Sequence, residues 1–383
     1  MQQLEKIFFA LIRFEINKTE LTEEIKNLIT PEILPALFSL AKRHDLAHLI
    51  GNALEKNGLL EENPNAKKHF LYERNVAVYR YEQQRYELQQ ICKTLEEAKI
   101  PFIPLKGSVI RNFYSTTWQR TSCDIDILVK SNDVNNAISF LQERLLYKVD
   151  GQSDHDVQMV SESGIHFELH FALVETDVKI KNVLDEVWNY LYQTDSYEKS
   201  MKEEFFYFYH IAHIAKHVRG GGCGIRPFID TLIILQKFNL ERDVLNSLLS
   251  QAGLKRFADV LEKTTKYLLA DEGGDDIVLS LKDFALYSGM YGDTTNSTTI
   301  QKLKKGSLKY FFQRIFPPFK TMEIRYPVLR KWKILYPFFI VRRWFSLLNK
   351  EKREKASFEL KANKKVSEEK KQKIAKLFKD LEL

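Results

Sequence analysis

The segment Cys123-Asp124-Ile125-Asp126-Ile127-Leu128-Val129 constrains this chain more than any other stretch. Its β-branched and apolar residues predict a strand. Side chains two apart on a strand point to one face, so Asp124 and Asp126 project side by side. Their Cα atoms then lie about 6.6 Å apart, at roughly 3.3 Å rise per residue. Carboxylates that close repel, which raises the pKa of at least one unless cations stand between them. A divalent ion such as Mg²⁺ takes oxygen ligands and keeps positions open for substrate phosphates. A lone D-x-D on a solvated edge strand needs no such ion, so the neighbouring residues decide between the two readings.

Composition sets the outer bounds. The chain has 383 residues, 44% hydrophobic and 28% charged, which describes a folded protein with a sizeable core. The net charge of +7 is uneven, with lysine and arginine concentrated after about residue 300. Basic surfaces of that kind fit nucleic acid, phosphate-rich ligands or an anionic membrane. The three cysteines, Cys92, Cys123 and Cys223, form no C-x-x-C pair, which points to a reducing compartment and a cytoplasmic location. The apolar cluster Ile7–Ile12 is bracketed by Glu5 and Arg13 and reads as an amphipathic helix, not a signal peptide. No uncharged apolar run reaches the ~18 residues of a membrane-spanning helix.

Residues 1–99 read as helical, with one long helix over 66–99 that carries Phe70, Tyr72, Tyr79, Tyr81 and Tyr86. Then "IPFIPLKGSVIRNFY" gives a short strand, Lys106-Gly107-Ser108, and a helix from Val109. A Gly-Ser turn between strand and helix lets backbone N–H groups approach a phosphate, and Lys106 adds a cation. A polar loop carries Arg120 to the D-x-D strand. Ser131-Asn132-Asp133 suits the cap of a helix over Val134–Leu145. The stretches "YKVDGQSDHDVQMV" and "SGIHFELHF" predict two strands of a hairpin turning at Ser163-Gly164. On the second, His166, Glu168 and His170 share one face, opposite Ile165, Phe167 and Leu169.

The remainder is mainly helical. His210, His213 and His217 fall on one helix face before the break Gly220-Gly221-Gly222. His213 and His217 have the i, i+4 spacing of a zinc helix, and His170 and Cys223 are further candidate ligands. The glutamate of H-E-x-x-H is missing, however. We read His170, His213, Lys216 and His217 as the wall of a cleft. Pro227 suits the first turn of the next helix, which carries Asp230. The organisation expected is a helical region over 1–99, a sheet core over 100–175, a helical domain over 176–300, a basic aromatic segment over 301–350, and a charged tail over 351–383. The tail reads as a solvated helix or as disordered. The fold class is α+β, a small mixed β-sheet embedded in a mainly helical chain.

Strand, Gly-Ser turn, helix, D-I-D-I-L-V and a later acid-bearing strand resemble the DNA polymerase beta-type nucleotidyltransferase superfamily. Within it, "PLKGSVIRNFY", Arg120, "DIDILV", "HFELH" and "HIAHIAKH" resemble a bacterial family of uncharacterised nucleotidyltransferases, over most of residues 30–345. The resemblance implies Asp124, Asp126 and Glu168 as catalytic, metal-binding acids, with Mg²⁺ or Mn²⁺ as cofactor. It implies Gly107 and Ser108 as the phosphate turn, with Lys106 or Arg120 neutralising charge. Fifteen residues separate Ser108 from Asp124, more than in many relatives of the broad fold. The expected activity is transfer of a nucleoside monophosphate from an NTP to a hydroxyl or phosphate acceptor, a small molecule ahead of nucleic acid. Two rivals are a catalytically silent nucleotide-binding or antitoxin-like protein, and a membrane-peripheral protein that uses the basic C-terminal segment.

Overall fold

Five strands form one mixed sheet in the order β1-β2-β5-β4-β3. They are β1 (Phe102–Pro104), β2 (Asp124–Val129), β3 (Lys148–Gln152), β4 (Asp156–Val160) and β5 (His166–His170). The central pair, β2 and β5, is parallel, and every other pairing is antiparallel. This is a computed structural model, and it describes residues 2–173, 177–290, 292–306, 312–313, 315–345 and 367–383. The α+β expectation holds: the sheet is small and the rest is mostly helix.

Before the sheet come α1 (Gln2–Asn17), α2 (Glu23–Leu28), α3 (Leu34–Arg43), α4 (Ala47–Lys56) and α5 (Pro64–Glu97). Within the sheet region lie α6 (Gly107–Ile110) and α7 (Val134–Leu145). After it come α8 (Val178–Leu184), α9 (Glu203–Gly220), α10 (Arg226–Lys237), α11 (Arg242–Gln251), α12 (Lys255–Leu269), α13 (Asp276–Ser288) and α14 (Thr294–Lys305). The last described helices are α15 (Phe319–Arg325), α16 (Tyr336–Phe345) and α17 (Glu368–Leu381).

The sheet has two unlike faces because strand side chains alternate. Ile125, Ile127, Val129, Phe167, Leu169, Val157 and Met159 point one way and pack with Ile91 and Leu95 of α5 and Ala137 and Leu141 of α7. The other face carries Asp124, Asp126, Glu168 and His170 toward the helical half. That half has a single core, which runs from Ile7 of α1 through α3, α4 and α9–α13 to Leu381 of α17. Helices on both sides of the sheet in sequence therefore share one interior.

Helix α5 begins where Asn63 accepts the Ala66 N–H at 3.0 Å, with Pro64 in its first turn. Its buried side chains Phe70, Ala77, Gln84 and Ile91 recur every seven residues. Tyr72, Tyr79 and Tyr86 recur at the same spacing on the solvent side. Gln84 is polar in this buried seam because it has work on both ends. Its Oε1 accepts from Arg111 Nη2 at 2.9 Å, and its Nε2 donates to Ser122 O at 3.0 Å. The long helix thereby fixes both loops that lead into the acidic face.

Several expectations need correction. "YKVDGQSDHDVQMV" is not one strand but two, β3 and β4. Ser153 makes the turn: its N–H donates to Asp156 O at 2.9 Å, and its Oγ donates to Asp156 Oδ1 at 2.8 Å. Helix α7 spans the predicted residues, but Asp133 at its N-cap makes no side-chain capping bond. Helix α1 is buried all round over Ile7–Ile12, beyond what an amphipathic surface helix would be. The tail is not solvated throughout. Ile374, Leu377, Phe378 and Leu381 of α17 enter the main core, with the Phe378 ring 6.1 Å from that of Phe284. Residues 351–366 of that tail lie outside the described residues. No described helix is long and apolar enough to cross a membrane.

Candidate active site

The parallel register of β2 and β5 sets Asp126 opposite Glu168 and Asp124 opposite His166. Leu105 N–H donates to Asp126 O at 3.0 Å, so the turn after β1 starts beside the acids. Lys106 then adopts φ +45°, ψ −119°, a conformation that a side chain-bearing residue rarely takes. This kink coincides with an ion pair: Lys106 Nζ donates to Asp126 Oδ1 at 2.6 Å. His170 Nε2–H donates to the same oxygen at 2.8 Å and lies 3.3 Å from Glu168 Oε2.

These contacts separate the two aspartates electrostatically. Burial by itself would raise Asp126, but Lys106 and His170 outweigh it and hold that carboxyl far below the usual carboxylate range. Asp124 moves the other way, raised by burial and then by the charge of Asp126. Burial opposes the charge on His170, yet its hydrogen bonds to Asp126 and Glu168 raise its pKa overall.

Gly107 follows the kink and packs tightly. A Cβ there would sit 2.8 Å from Arg120 Nη1 and 2.8 Å from Ser122 Oγ. Ser108 lies behind the turn. It is buried, and its N–H already donates to Leu105 O at 3.1 Å. Arg120 is also buried, and its Nη2 pairs with Asp230 Oδ2 of α10 at 3.1 Å. Tyr114 Oη donates to the other oxygen of Asp230 at 2.6 Å. The arginine therefore bridges the loop before β2 to the helical half.

Two cavities adjoin this cluster. One, of about 350 Å³, is lined by Lys106, Gly107, Arg120, Asp124, Asp126, Tyr209, His213, Lys216, His217 and Arg226, among others. The second, of about 300 Å³, lies on the Glu168 and His170 side and is walled by Ser153, His155, Asp156 and Gln158. Lys106, Tyr209, His213 and Lys216 line both, so they form the partition. Of the residues singled out from sequence, the structure gathers Lys106, Gly107, Arg120, Asp124, Asp126, Glu168, His170, His213, Lys216 and His217 around these spaces. Ser108 is not among the linings.

The imidazoles divide by role. His170 stands inside the acidic cluster, whereas the sequence placed it on the wall. The Nε2 atoms of His213 and His217 lie 3.0 Å apart, so one ring donates to the other. Burial pushes His217 down to about 4 and His213 well below its usual range, which keeps both rings neutral. Among the described residues, one cluster of three side chains could ligate a metal: Asp126, Glu168 and His170, with ligand atoms within 4.8 Å of one another. Cys223 lines the first cavity but is not in that cluster, and burial pushes its thiol up to about 12. The His213–His217–Cys223 alternative therefore finds no support. Two carboxylates and an imidazole fit a divalent cation. Asp124, two residues earlier on β2, falls outside that trio.

Sequence reasoning passed over Tyr209 and Arg226. Tyr209 is buried beside Lys106 and Asp126, one helical turn before His213, and that i, i+4 spacing was its only signal. Arg226 Nη1 donates to Asp45 Oδ2 at 3.0 Å and to Thr121 O at 3.1 Å. It holds α10 and the loop before β2 together, a long-range contact without a local pattern.

An acidic sheet face with lysines and arginines lining the same cavity can hold a divalent cation and phosphate together. Comparison with protein families gives the class. A model described as uncharacterised nucleotidyltransferase matches residues 33–269, and the chain belongs to that family. The match contains the whole sheet and most of the lining of both cavities. No curated protein matches the chain.

Proposed function

We propose that this protein transfers a nucleoside monophosphate from an NTP to the hydroxyl of a small acceptor, with Mg²⁺ or Mn²⁺ as cofactor. The observation that carries this reading is the register of Asp126 with Glu168 on neighbouring parallel strands, with Asp126 lining a cavity that holds Gly107 and four cationic side chains and Glu168 lining the second cavity beside it. Asp126 and Glu168 would hold the cation, with Asp124 or His170 beside them. When bound, that cation neutralises charge on the phosphate oxygens.

The chain's own residues do the rest. Gly107 leaves room for the triphosphate to approach the backbone. Lys106 and Lys216 face the same space, and Arg120 and Arg226 also line it, each ion-paired, with Asp230 and Asp45. The acceptor enters from the second cavity, where Glu168 takes the hydroxyl proton as the new P–O bond forms and pyrophosphate leaves. Positioning and electrostatics supply the rate in such a transfer. A space of about 300 Å³ suits a small molecule better than a polynucleotide end. The test is incubation with each α-labelled NTP and separate acceptor pools. Label should move to a small-molecule pool, and label moving only to RNA would contradict the acceptor assignment.

A further inference from the structure

The stretch from residue 315 to 345 holds seven lysines and arginines and one acid, Glu323, a net +6 (7 − 1) beside +7 for the whole chain. It folds around its own small core of Met322, Leu329, Phe339 and Ile340, separate from the two larger cores. With those side chains turned inward, other large apolar groups face out. Ile334 is 85% exposed, Phe345 66%, and Trp332 and Phe338 61% each. Phe338, Val341 and Phe345 stand at i, i+3 and i+7 on α16 and form one exposed stripe. Just before it, exposed Lys331 and Lys333 alternate with Trp332 and Ile334.

We propose that this segment docks the protein on an anionic membrane surface. Exposed Trp332, Ile334, Phe338 and Phe345 lie close together in the chain, unlike the scattered single apolar residues of an ordinary free surface. Tryptophan, phenylalanine and aliphatic side chains beside lysine and arginine match the lipid interface. There the apolar groups enter the acyl boundary and the cations meet headgroup phosphates. Single-stranded nucleic acid would instead use flat rings as stacking platforms. Here the most exposed member is the aliphatic Ile334, and Val341 and Leu335 stand among the rings of Trp332, Phe338 and Phe345, a mixture of aliphatic and aromatic groups that fits the acyl boundary. The charge selects an anionic partner, and the aliphatic content selects lipid.

The test is sedimentation of the full-length protein with phosphatidylcholine vesicles, with and without phosphatidylglycerol. Binding should require phosphatidylglycerol and fall as salt rises. Each surface lysine contributes about five-fold in partitioning, so Lys331→Glu with Lys333→Glu should cost at least about 25-fold. Ile334→Ser with Phe338→Ser should also release the protein. All four positions are exposed, and an unchanged melting curve for the variants shows that the fold is intact. A second readout is the blue shift of tryptophan emission on vesicles, which Trp332→Phe should diminish. Failure to sediment with anionic vesicles would overturn the proposal. So would variants that sediment like the wild type, or a single-stranded RNA that competes the protein off the vesicles.

Discussion

Two aspartates on one strand face the same way and behave oppositely, and the cause is which of them Lys106 and His170 reach. Asp126 receives both and is held ionised. Asp124 meets mainly its neighbour's charge and the effects of burial. The sequence makes the pair, Glu168 and Gly107 legible through strand period and turn chemistry. It does not reveal which aspartate is raised, because that depends on the positive φ of Lys106 and on the strand register. Gly107 gives the sharpest residue-scale prediction. The methyl of Gly107→Ala meets Arg120, pinned by Asp230, and Ser122, too short to move aside. Overpacking of this kind costs about 1–3 kcal/mol. The midpoint of urea unfolding should drop accordingly, and an unchanged midpoint would show that the turn is looser than described.

At the scale of elements, the acidic face is held by ties that cross the chain: Gln84 of α5 to the loops, Arg120 to α10, and Arg226 to α4's neighbour Asp45. Strands β2 and β5 and helices α5, α7, α9 and α10 are legible as local patterns. The ties are not, since nothing local signals a partner 27 to 181 residues away. The turn between β3 and β4 shows a different failure. Gly151 and Ser153 lie inside an apparently continuous strand, and two turn residues among alternating side chains are easily read as strand. Arg120→Met tests the principal tie. It leaves Asp230 buried without its cation, which should destabilise the protein by about 3–5 kcal/mol. Adding Asp230→Leu should recover part of that loss in chemical denaturation. No recovery would mean that Asp230 serves Tyr114 more than Arg120.

For the molecule as a whole, buried histidines predict an acid limit. Burial pushes His44 and His210 down to about 4, from 6.5 when unfolded. On acidification the unfolded chain takes up these protons first. Stability is therefore complete above pH 6.5, declines as pH falls from 6.5 toward 4, and levels off below that. Each group accounts for up to about 3 kcal/mol over the window. Thermal unfolding should show the decline, and His44→Gln, which keeps a donor for Leu286 O, should make it shallower. The same scale holds the plainest missed pattern. Ile374, Leu377, Phe378 and Leu381 recur at helical spacing, but the surrounding lysines and glutamates made the tail look solvated. That helix joins the same core as α1, packing with α12, α13 and α14.

Pyrophosphate release reports whether the acidic face of β2 and β5 carries nucleotidyl transfer. Each of the NTPs is offered to wild type and Asp126→Ala with Mg²⁺, with Mn²⁺, or with chelator. Wild type should release pyrophosphate from at least one NTP only with divalent metal present, and the variant should lose at least ~10²-fold. Equal release by the two proteins would contradict that role for the acidic face.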